Sequence, residues 1–524
     1  MKKIFSNDYF LFSILYVLLA YVTVLQSTVQ DFTSIIDFDL TVIHNSLQLV
    51  SNKFPDFQDL TAYSHFLTYG IFYKIFGLFD KNLITNIDLL ISDDNPEIIL
   101  QDLYVISRLV NSTLHFIILI FFYNFLQFFK IDRYYKVLTI FFIIFTETFI
   151  ANFIILRTDI VAVCYFILST YFLFSFIKNT KIYYLYFVSF FMVLSLLAKV
   201  QIIFLYMFIF IFFFFYCLWE KDNKIKDFSV LLLNLKLIKS KYILTFILLL
   251  YFIFQIYLNH FVNSSSGVGY LDFLCFAVYF LIFFLLIEYL CKLKGVSKTF
   301  IYDIFTLIIL FSITSVIFLK LLDIFNFIKF DFRIIFSLTN PFYFLKIYSP
   351  FGNNELSSSL IIDMLLVLFK DLKFNLIYLI TIIFILFYVS INSLILKRNK
   401  IFIPENIYIF LLLTIILFMS SLNNVRYNIS YDVYFILFYF LLLAIFFKSI
   451  VANYKIFSCT IITITMIFNF VINIDNYNKY IFKSSKLEYV CVNKNTREFY
   501  YQWANNFDEN FFKKICYNKN LSFK

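Results

Sequence analysis

Long apolar runs separated by short polar connections occupy most of this 524-residue chain. A helix that crosses the hydrocarbon core of a bilayer needs about 20 predominantly apolar residues. We therefore expect an all-α polytopic membrane protein over residues 1–475, followed by a short polar tail over 476–524. The pattern predicts about thirteen membrane-spanning helices, near residues 9–26, 104–129, 135–152, 155–177, 182–198, 200–218, 242–261, 270–291, 301–325, 374–396, 402–420, 431–449 and 455–474.

Two connections between the predicted spans are much longer than the rest, over residues 27–102 and 326–373. The first contains LTVIHNSLQLV (40–50), whose apolar residues recur at helical spacing, as in a helix that lies at a membrane interface. It also contains FLTYGIFYKIFGLF (66–79), which is apolar but too short to span a bilayer. We expect this stretch to lie on the outer surface or dip into it, and IIDMLLVLFKDL (361–372) to form a further surface helix.

The distribution of charge orients the chain, because short cytoplasmic loops carry an excess of Lys and Arg. With a cytoplasmic N-terminus, the loop 219–241 and its six lysines lie inside, and the connection 27–102, with eleven acidic residues against three lysines, lies outside. The tail 476–524 is also placed outside, although it has nine Lys and Arg against four acidic residues. Either the weakness of the rule for long terminal segments or a miscounted span explains this exception.

Composition agrees with a membrane protein, at 62% hydrophobic residues, 15% charged residues and a mean hydropathy of +0.86. The net charge of +10 reflects loop asymmetry and is no sign of nucleic-acid binding. Only six Gly and five Pro favour uninterrupted helices over the broken helices of many transporters. The apolar N-terminal run is followed by no small-residue cleavage site, so we expect a retained first span. Cys491 and Cys516 lie in the tail, where they either pair or stay free.

Ionisable residues recur at the outer edges of the predicted spans, where they are costly and are functional candidates by default. None of them was needed to orient the chain, which suggests one shared outer cavity. They are Asp37, Asp39, His65, Arg157, Asp159, Lys199 and Arg426.

Each of these residues also has a purely structural interpretation. The first two acids fit an ordinary outer loop, and His65 fits a hydrogen-bonded interfacial residue. Arg157 and Asp159, two positions apart, fit a salt bridge at a helix start. Lys199 fits a side chain that reaches towards lipid headgroups, and Arg426 fits a topological anchor. An outer Arg or Lys nevertheless runs against the positive-inside trend, and a lipid phosphate is an obvious partner for it.

The order and spacing of these residues resemble the GT-C class of integral membrane glycosyltransferases, which includes protein O-mannosyltransferases and the lipid A aminoarabinose transferase. The stretch DFDLTVIHNSLQLVSNKFPDFQDLTAYSHFLTYGIFYKIFG resembles the acidic first outer loop of that class. LRTDIVAVCYFILSTYFLF, LSLLAKVQIIF and VRYNISYDVYFILFYFLLLAI resemble its acid-led fourth span, its Leu-Thr-Lys run and its late Arg-Tyr element. The chain departs from the pattern at Leu40, Phe66 and Ala198, where a second acid, a proline and a threonine are usual.

The resemblance implies an inverting transferase that takes a sugar from a polyprenyl-phosphate carrier and passes it to a glycan, lipid or protein. Asp39, at the family's spacing, is implied as the general base, with Asp37 as the substitute second acid. His65 and Asp159 are implied to line the acceptor site. Asp37 and Asp159 would hold a divalent ion in those members that use one; no other cofactor is implied.

The leaving phosphate needs cations, and Arg157, Lys199 and Arg426 are the candidates. The implied location is the bacterial inner membrane with an extracytoplasmic active site, among membrane lipids. Three other functions stay open: a lipid-linked polysaccharide polymerase or ligase, a transporter or flippase of lipid-linked sugars, and a membrane scaffold without chemistry.

Overall fold

The computed structural model describes residues 7–33, 39–56, 62–80, 83–129, 131–144, 156–179, 181–199, 298–330 and 487–523, with isolated positions at 149, 153, 202, 205, 206, 209, 210, 213 and 464. These residues are 81% helical and contain no strand. The all-α class predicted from the sequence is therefore confirmed for the described part of the chain.

The described helices are numbered here in chain order. They are α1 (Asn7–Val29), α2 (Asp39–Val50), α3 (Tyr63–Phe79), α4 (Ile87–Ser92), α5 (Pro96–Leu126), α6 (Arg133–Ile144), α7 (Thr158–Asn179), α8 (Tyr183–Ala198), α9 (Lys298–Ile324), α10 (Leu487–Val492), α11 (Lys494–Trp503) and α12 (Glu509–Asn518).

Four segments of the described chain are long and apolar enough to cross a membrane: Phe10–Ser27, Pro96–Phe129, Thr158–Asn179 and Asp303–Ile324. They correspond to the predicted spans 9–26, 104–129, 155–177 and 301–325. Helix α8 corresponds to the predicted span 182–198 but is shorter, at 16 residues. These apolar helices support a membrane protein.

Most of the other predicted spans lie outside the described residues. Helix α6 covers the first part of the span predicted at 135–152, and isolated positions fall in those predicted at 200–218 and 455–474. The remaining spans, the second long connection beyond residue 330 and the surface helix predicted at 361–372 lie outside.

Helix α2 differs from the surface helix expected for residues 40–50, because every one of its residues is buried. It packs closely on α3, and Gly70 makes this approach possible. A Cβ atom at Gly70 would come within 2.9 Å of the Ser46 carbonyl oxygen, which is backbone and cannot turn away. The first outer connection thus contributes to the protein interior, where a charge on α2 has no access to water.

Helix α3 divides into two halves. The first half, from Tyr63 to Gly70, is buried throughout, whereas the apolar side chains of Leu78 and Phe79 at its end are more than three-quarters exposed. Helix α3 contacts α2, α5, α7 and α8. It therefore lies at the centre of the residues that the sequence singled out.

Candidate functional site

Asp39 is the first residue of α2 and is completely buried. An acid at this position is favoured by the helix dipole, which carries partial positive charge at the N-terminus. One of its carboxylate oxygens accepts a hydrogen bond from Arg108 Nη2 at 2.7 Å, and the other accepts one from the Leu156 backbone N–H at 3.3 Å. The residue predicted to be the general base is therefore ion-paired in this structure.

Arg108 reaches Asp39 from α5 and is also completely buried. Its Nη2 atom also donates to the Tyr104 hydroxyl at 2.7 Å, and its guanidinium lies 4.7 Å from the centre of the Tyr104 ring. Its Nε and Nη1 atoms, both buried, have no hydrogen-bond partner in the described part of the chain. Arg108 thus holds Asp39 with one nitrogen and retains unused donors on two others.

Three aromatic side chains lie at four-residue intervals along α3 and so share one face of the helix: His65, Tyr69 and Tyr73. The Tyr73 hydroxyl is hydrogen-bonded to Ser107 on α5. The Tyr69 hydroxyl and both ring nitrogens of His65 have no hydrogen-bond partner among the described residues. His65 and Tyr69 contact each other edge to face, with ring centres 4.8 Å apart.

Burial controls the ionisation of this face. It lowers the pKa of His65 from 6.5 to about 3, so the imidazole is neutral at physiological pH. Burial also raises the pKa of Tyr69, and the charges of Tyr73, Arg108 and Asp39 act on the same hydroxyl. Tyr69 therefore lies within electrostatic range of the Asp39–Arg108 pair and keeps its proton.

A second ion pair joins Asp159 to Lys199. Asp159 lies in the first turn of α7, and Lys199 directly follows the last residue of α8. The two helices are tied together near this end, where the Ser195 hydroxyl donates to the Ala162 carbonyl at 2.7 Å. The Asp159 side chain is 3% exposed and that of Lys199 is 12% exposed, so this pair is slightly less enclosed than the Asp39–Arg108 pair.

The two ion pairs belong to one region. Leu156, which donates to Asp39, is three residues before Asp159, and Arg157 lies between them. Helix α3 bridges the same elements: the Ser64 hydroxyl donates to the Leu194 carbonyl of α8, and Thr68 hydrogen-bonds Tyr165 of α7 at 2.8 Å.

The structure thus brings five predicted site residues into neighbouring positions: Asp39, His65, Arg157, Asp159 and Lys199. Lys199 is ion-paired with Asp159 in this structure, and its predicted role as a phosphate ligand stays a prediction. Asp37 and Arg426 lie outside the described residues, and their predicted roles stay predictions.

The divalent ion predicted at Asp37 and Asp159 stays a prediction. Asp37 lies outside the described residues, and Asp159 is ion-paired with Lys199 in this structure. The described residues contain no group of three His, Cys, Asp or Glu side chains that could hold a metal ion.

Sequence reasoning missed Arg108, Tyr104 and Tyr69. Arg108 is the one Lys, Arg, Asp or Glu within the predicted span 104–129, and a lone arginine in an apolar span is a functional signal by itself. Tyr69 was detectable from its position four residues after His65 on the same predicted helix.

The C-terminal segment 487–523 packs on the first connection. Cys491 and Cys516 form a disulfide, with Cα atoms 5.9 Å apart, so of the two alternatives for these cysteines the paired one is found. The Phe507 ring contacts His44 of α2, with ring centres 4.6 Å apart. The Asn505 N–H donates to Asp56 at 2.9 Å.

Acidic positions of the first connection receive further contacts from the same segment. Lys514 donates to the Asp93 carbonyl, and Asn518 donates to the Asp94 carbonyl and to the Glu97 carboxylate. The basic tail and the acidic connection, both predicted to lie outside, are therefore on the same side of the protein.

No family model, no curated protein and no solved structure matches this chain. Any functional conclusion therefore depends on the residues and their geometry.

Proposed function

We propose that this protein is an inverting glycosyltransferase that moves a sugar from a polyprenyl-phosphate carrier to an extracytoplasmic acceptor. The observation that carries the proposal is the sealed Asp39–Arg108 pair at the start of α2. Asp39 also accepts from the Leu156 N–H, three residues before the Asp159 of the second ion pair. Buried charges within a membrane protein are costly and tend to mark functional sites.

The reaction needs a base and a stabilised leaving group. The acceptor oxygen attacks the anomeric carbon, the bond from that carbon to the phosphate oxygen breaks, and its electron pair stays on the phosphate. Asp39 takes the proton of the acceptor hydroxyl, and Arg108 keeps Asp39 ionised beforehand, since a neighbouring cation favours the charged form of a carboxylate. Arg157, Lys199 and Arg426 are proposed to stabilise the charge that develops on the phosphate.

The proposed location is the extracytoplasmic face of a bacterial inner membrane. Disulfides persist in oxidising compartments, and Cys491–Cys516 lies in the segment that packs on the first connection. Outside the cytoplasm a nucleotide-linked donor is not at hand, which favours a lipid-linked donor. The acceptor class, whether glycan, lipid or protein, is left open by the residues.

A transfer assay tests this proposal. Purified protein in liposomes receives a labelled polyprenyl-phosphate sugar, chosen from the sugars that mass spectrometry finds missing from the surface of a deletion strain. Asp39→Asn is expected to abolish transfer. Asp88→Asn is the control, because Asp88 is an exposed acid of the same connection that pairs with Lys53, and its loss leaves transfer unchanged. Normal transfer by a folded Asp39→Asn protein contradicts the assignment.

One observation favours a second function, a transporter or flippase of lipid-linked sugars. Arg108 is a buried charge within the apolar segment Pro96–Phe129, and transporters carry such charges inside their spans. The same liposomes separate the two functions. A transferase forms a labelled product only when acceptor is present, whereas a flippase moves labelled lipid between leaflets without altering it.

A further inference from the structure

Arg108 has hydrogen-bonding capacity that its ion pair does not use. A guanidinium has five N–H donors in a planar fork. Nη2 serves Asp39 and Tyr104, while Nε and Nη1 are buried without a partner in the described part of the chain. A buried donor without a partner lowers the stability of the folded protein, and more so when the group is charged. Natural structures retain such groups rarely, and a ligand that supplies the missing acceptors is one physical reason to do so.

Two side chains of α3 share this property. The Tyr69 hydroxyl is fully buried and has no hydrogen-bond partner, and neither ring nitrogen of His65 has one, as far as the described residues extend. His65 contacts Tyr69 through its ring, and the charge of Arg108 acts on Tyr69. Unsatisfied polar groups from α3 and α5 are therefore neighbours, which a chance defect at a single position does not explain.

The chemistry of the three groups specifies a ligand. Arg108 and Tyr69 both donate hydrogen bonds, so they suit a group with several acceptor oxygens and negative charge. His65 is neutral, so one ring nitrogen donates and the other accepts, which suits a hydroxyl. A phosphate next to a hydroxyl-bearing group offers this combination.

The electrostatics of the site also suit an anion. Asp39 occupies one nitrogen of Arg108, and this cation retains the donors on Nε and Nη1. A phosphate that binds these donors competes with Asp39 for the positive charge of Arg108.

We propose that Arg108, Tyr69 and His65 form a binding site for the phosphate end of a phosphate-bearing ligand. The Arg108 and Tyr69 donors bind the phosphate oxygens, and His65 binds a hydroxyl beside them. All three residues are buried, so ligand entry requires a local opening of the protein around them. This site adds a binding role to the proposed function. Only the identity of the ligand as a sugar donor rests on that function.

Two tyrosines of α3 provide a matched test. Tyr69→Phe removes a hydroxyl without a partner, so the thermal unfolding temperature of the ligand-free protein is expected to stay the same or rise. Tyr73→Phe removes a hydroxyl that bonds Ser107, so that temperature is expected to fall. Binding has the opposite pattern: Tyr69→Phe is expected to bind phosphate about ten-fold more weakly, and Tyr73→Phe as tightly as the wild type.

The measurement is the rise in unfolding temperature of full-length protein in detergent as a probe is added, since a ligand of the folded state stabilises it. The probes are inorganic phosphate and a short-chain polyprenyl phosphate. Stabilisation by both assigns the site to a free phosphate group, and stabilisation by the lipid alone assigns it to a lipid-linked one; either outcome supports the site if Tyr69→Phe weakens it.

Two results would overturn the inference. One is a wild-type protein that neither probe stabilises, which would leave water as the partner of these groups. The other is equal stabilisation of Tyr69→Phe and wild type. The readout is independent of sugar transfer. Phosphate binding without sugar transfer therefore retains this site and removes the transferase proposal. Sugar transfer by the wild type, together with normal phosphate binding by Tyr69→Phe, retains the transferase proposal and removes this site.

Discussion

Two ion pairs lie in the same region of the protein, but they differ in how far their side chains are exposed. Both side chains of the Asp39–Arg108 pair are 0% exposed, whereas Asp159 and Lys199 are 3% and 12% exposed. A sealed pair depends on its partner, because a single charge left in the interior has no water to stabilise it. The Asp159–Lys199 pair is slightly less enclosed, through the 12% exposure of its lysine. We therefore distinguish a sealed core pair, Asp39–Arg108, from a less enclosed rim pair, Asp159–Lys199.

Breaking the sealed pair is expected to produce the largest effect. Asp39→Asn or Arg108→Met alone strands one buried group and is expected to cost about 3–5 kcal/mol of unfolding free energy. The double variant Asp39→Asn/Arg108→Met removes both charges and is expected to recover most of that loss. Denaturant unfolding in detergent checks this. Additive losses in the double variant would show that the two side chains do not depend on each other.

Loss of the Cys491–Cys516 disulfide is expected to have the next largest effect on the unfolding free energy. The disulfide bears on the sealed pair because its segment contacts α2, the helix of Asp39, through Phe507 and His44. Replacing Cys491 and Cys516 by Ala removes a cross-link that is expected to be worth about 2–4 kcal/mol. A reductant should lower the unfolding temperature of the wild type and leave the double variant unchanged. An equal response of the two proteins to reductant would be inconsistent with this bond.

The pH dependence of the unfolding free energy tests whether the region around His65 is closed to water. The pKa of His65 is about 3 when folded and 6.5 when unfolded, so below pH 6.5 the unfolded chain binds a proton that the folded protein does not. Stability contributed by the neutral imidazole is present above pH 6.5 and falls by about 1.4 kcal/mol per pH unit below it.

His65→Phe is expected to remove this part of the acid slope when unfolding free energies at pH 7.5 and 5.5 are compared. His44 provides an internal control, because burial lowers its pKa to about 3 as well. The part of the acid slope that His44 contributes is expected to persist in His65→Phe. An unchanged slope in His65→Phe would mean that His65 is protonated, and therefore hydrated, in the folded protein.

Breaking the rim pair is expected to have the smallest effect. Lys199→Met leaves the Asp159 carboxylate, which is 3% exposed and lies in the first turn of α7, where the helix dipole favours an acid. The loss of unfolding free energy should therefore lie between about 1 kcal/mol, the upper value for a surface pair, and about 3 kcal/mol, the lower value for a buried one. A loss as large as that of Arg108→Met would remove the distinction between core and rim.

The sequence predicted the parts of the fold that depend on local pattern. Apolar runs of sufficient length identified the segments around residues 10–27, 158–179 and 303–324, and the helical spacing of residues 40–50 identified α2. The pattern did not reveal that α2 is buried on all sides, because its polar residues look like a solvent-facing side. That outcome depends on α3 and the distant segment 487–523, which no local window contains.

The sequence predicted several residues of the candidate site, but it did not predict which of them form ion pairs. Asp39, Asp159 and Lys199 were found because charges at span edges are rare. Their partners are 69 and 40 residues away in sequence, for Asp39 with Arg108 and Asp159 with Lys199, and only the packing of α2, α5, α7 and α8 defines them. These pairings were therefore not predictable from the sequence, and the roles assigned to the three residues stay predictions.

The most direct test of the account is sugar transfer by the Asp39→Asn/Arg108→Met protein. This variant is expected to stay folded, because no buried charge is stranded. The account predicts that wild-type protein in liposomes transfers label from a polyprenyl-phosphate sugar to acceptor, and that the folded double variant transfers none above background. Wild-type rates in the folded double variant would contradict it.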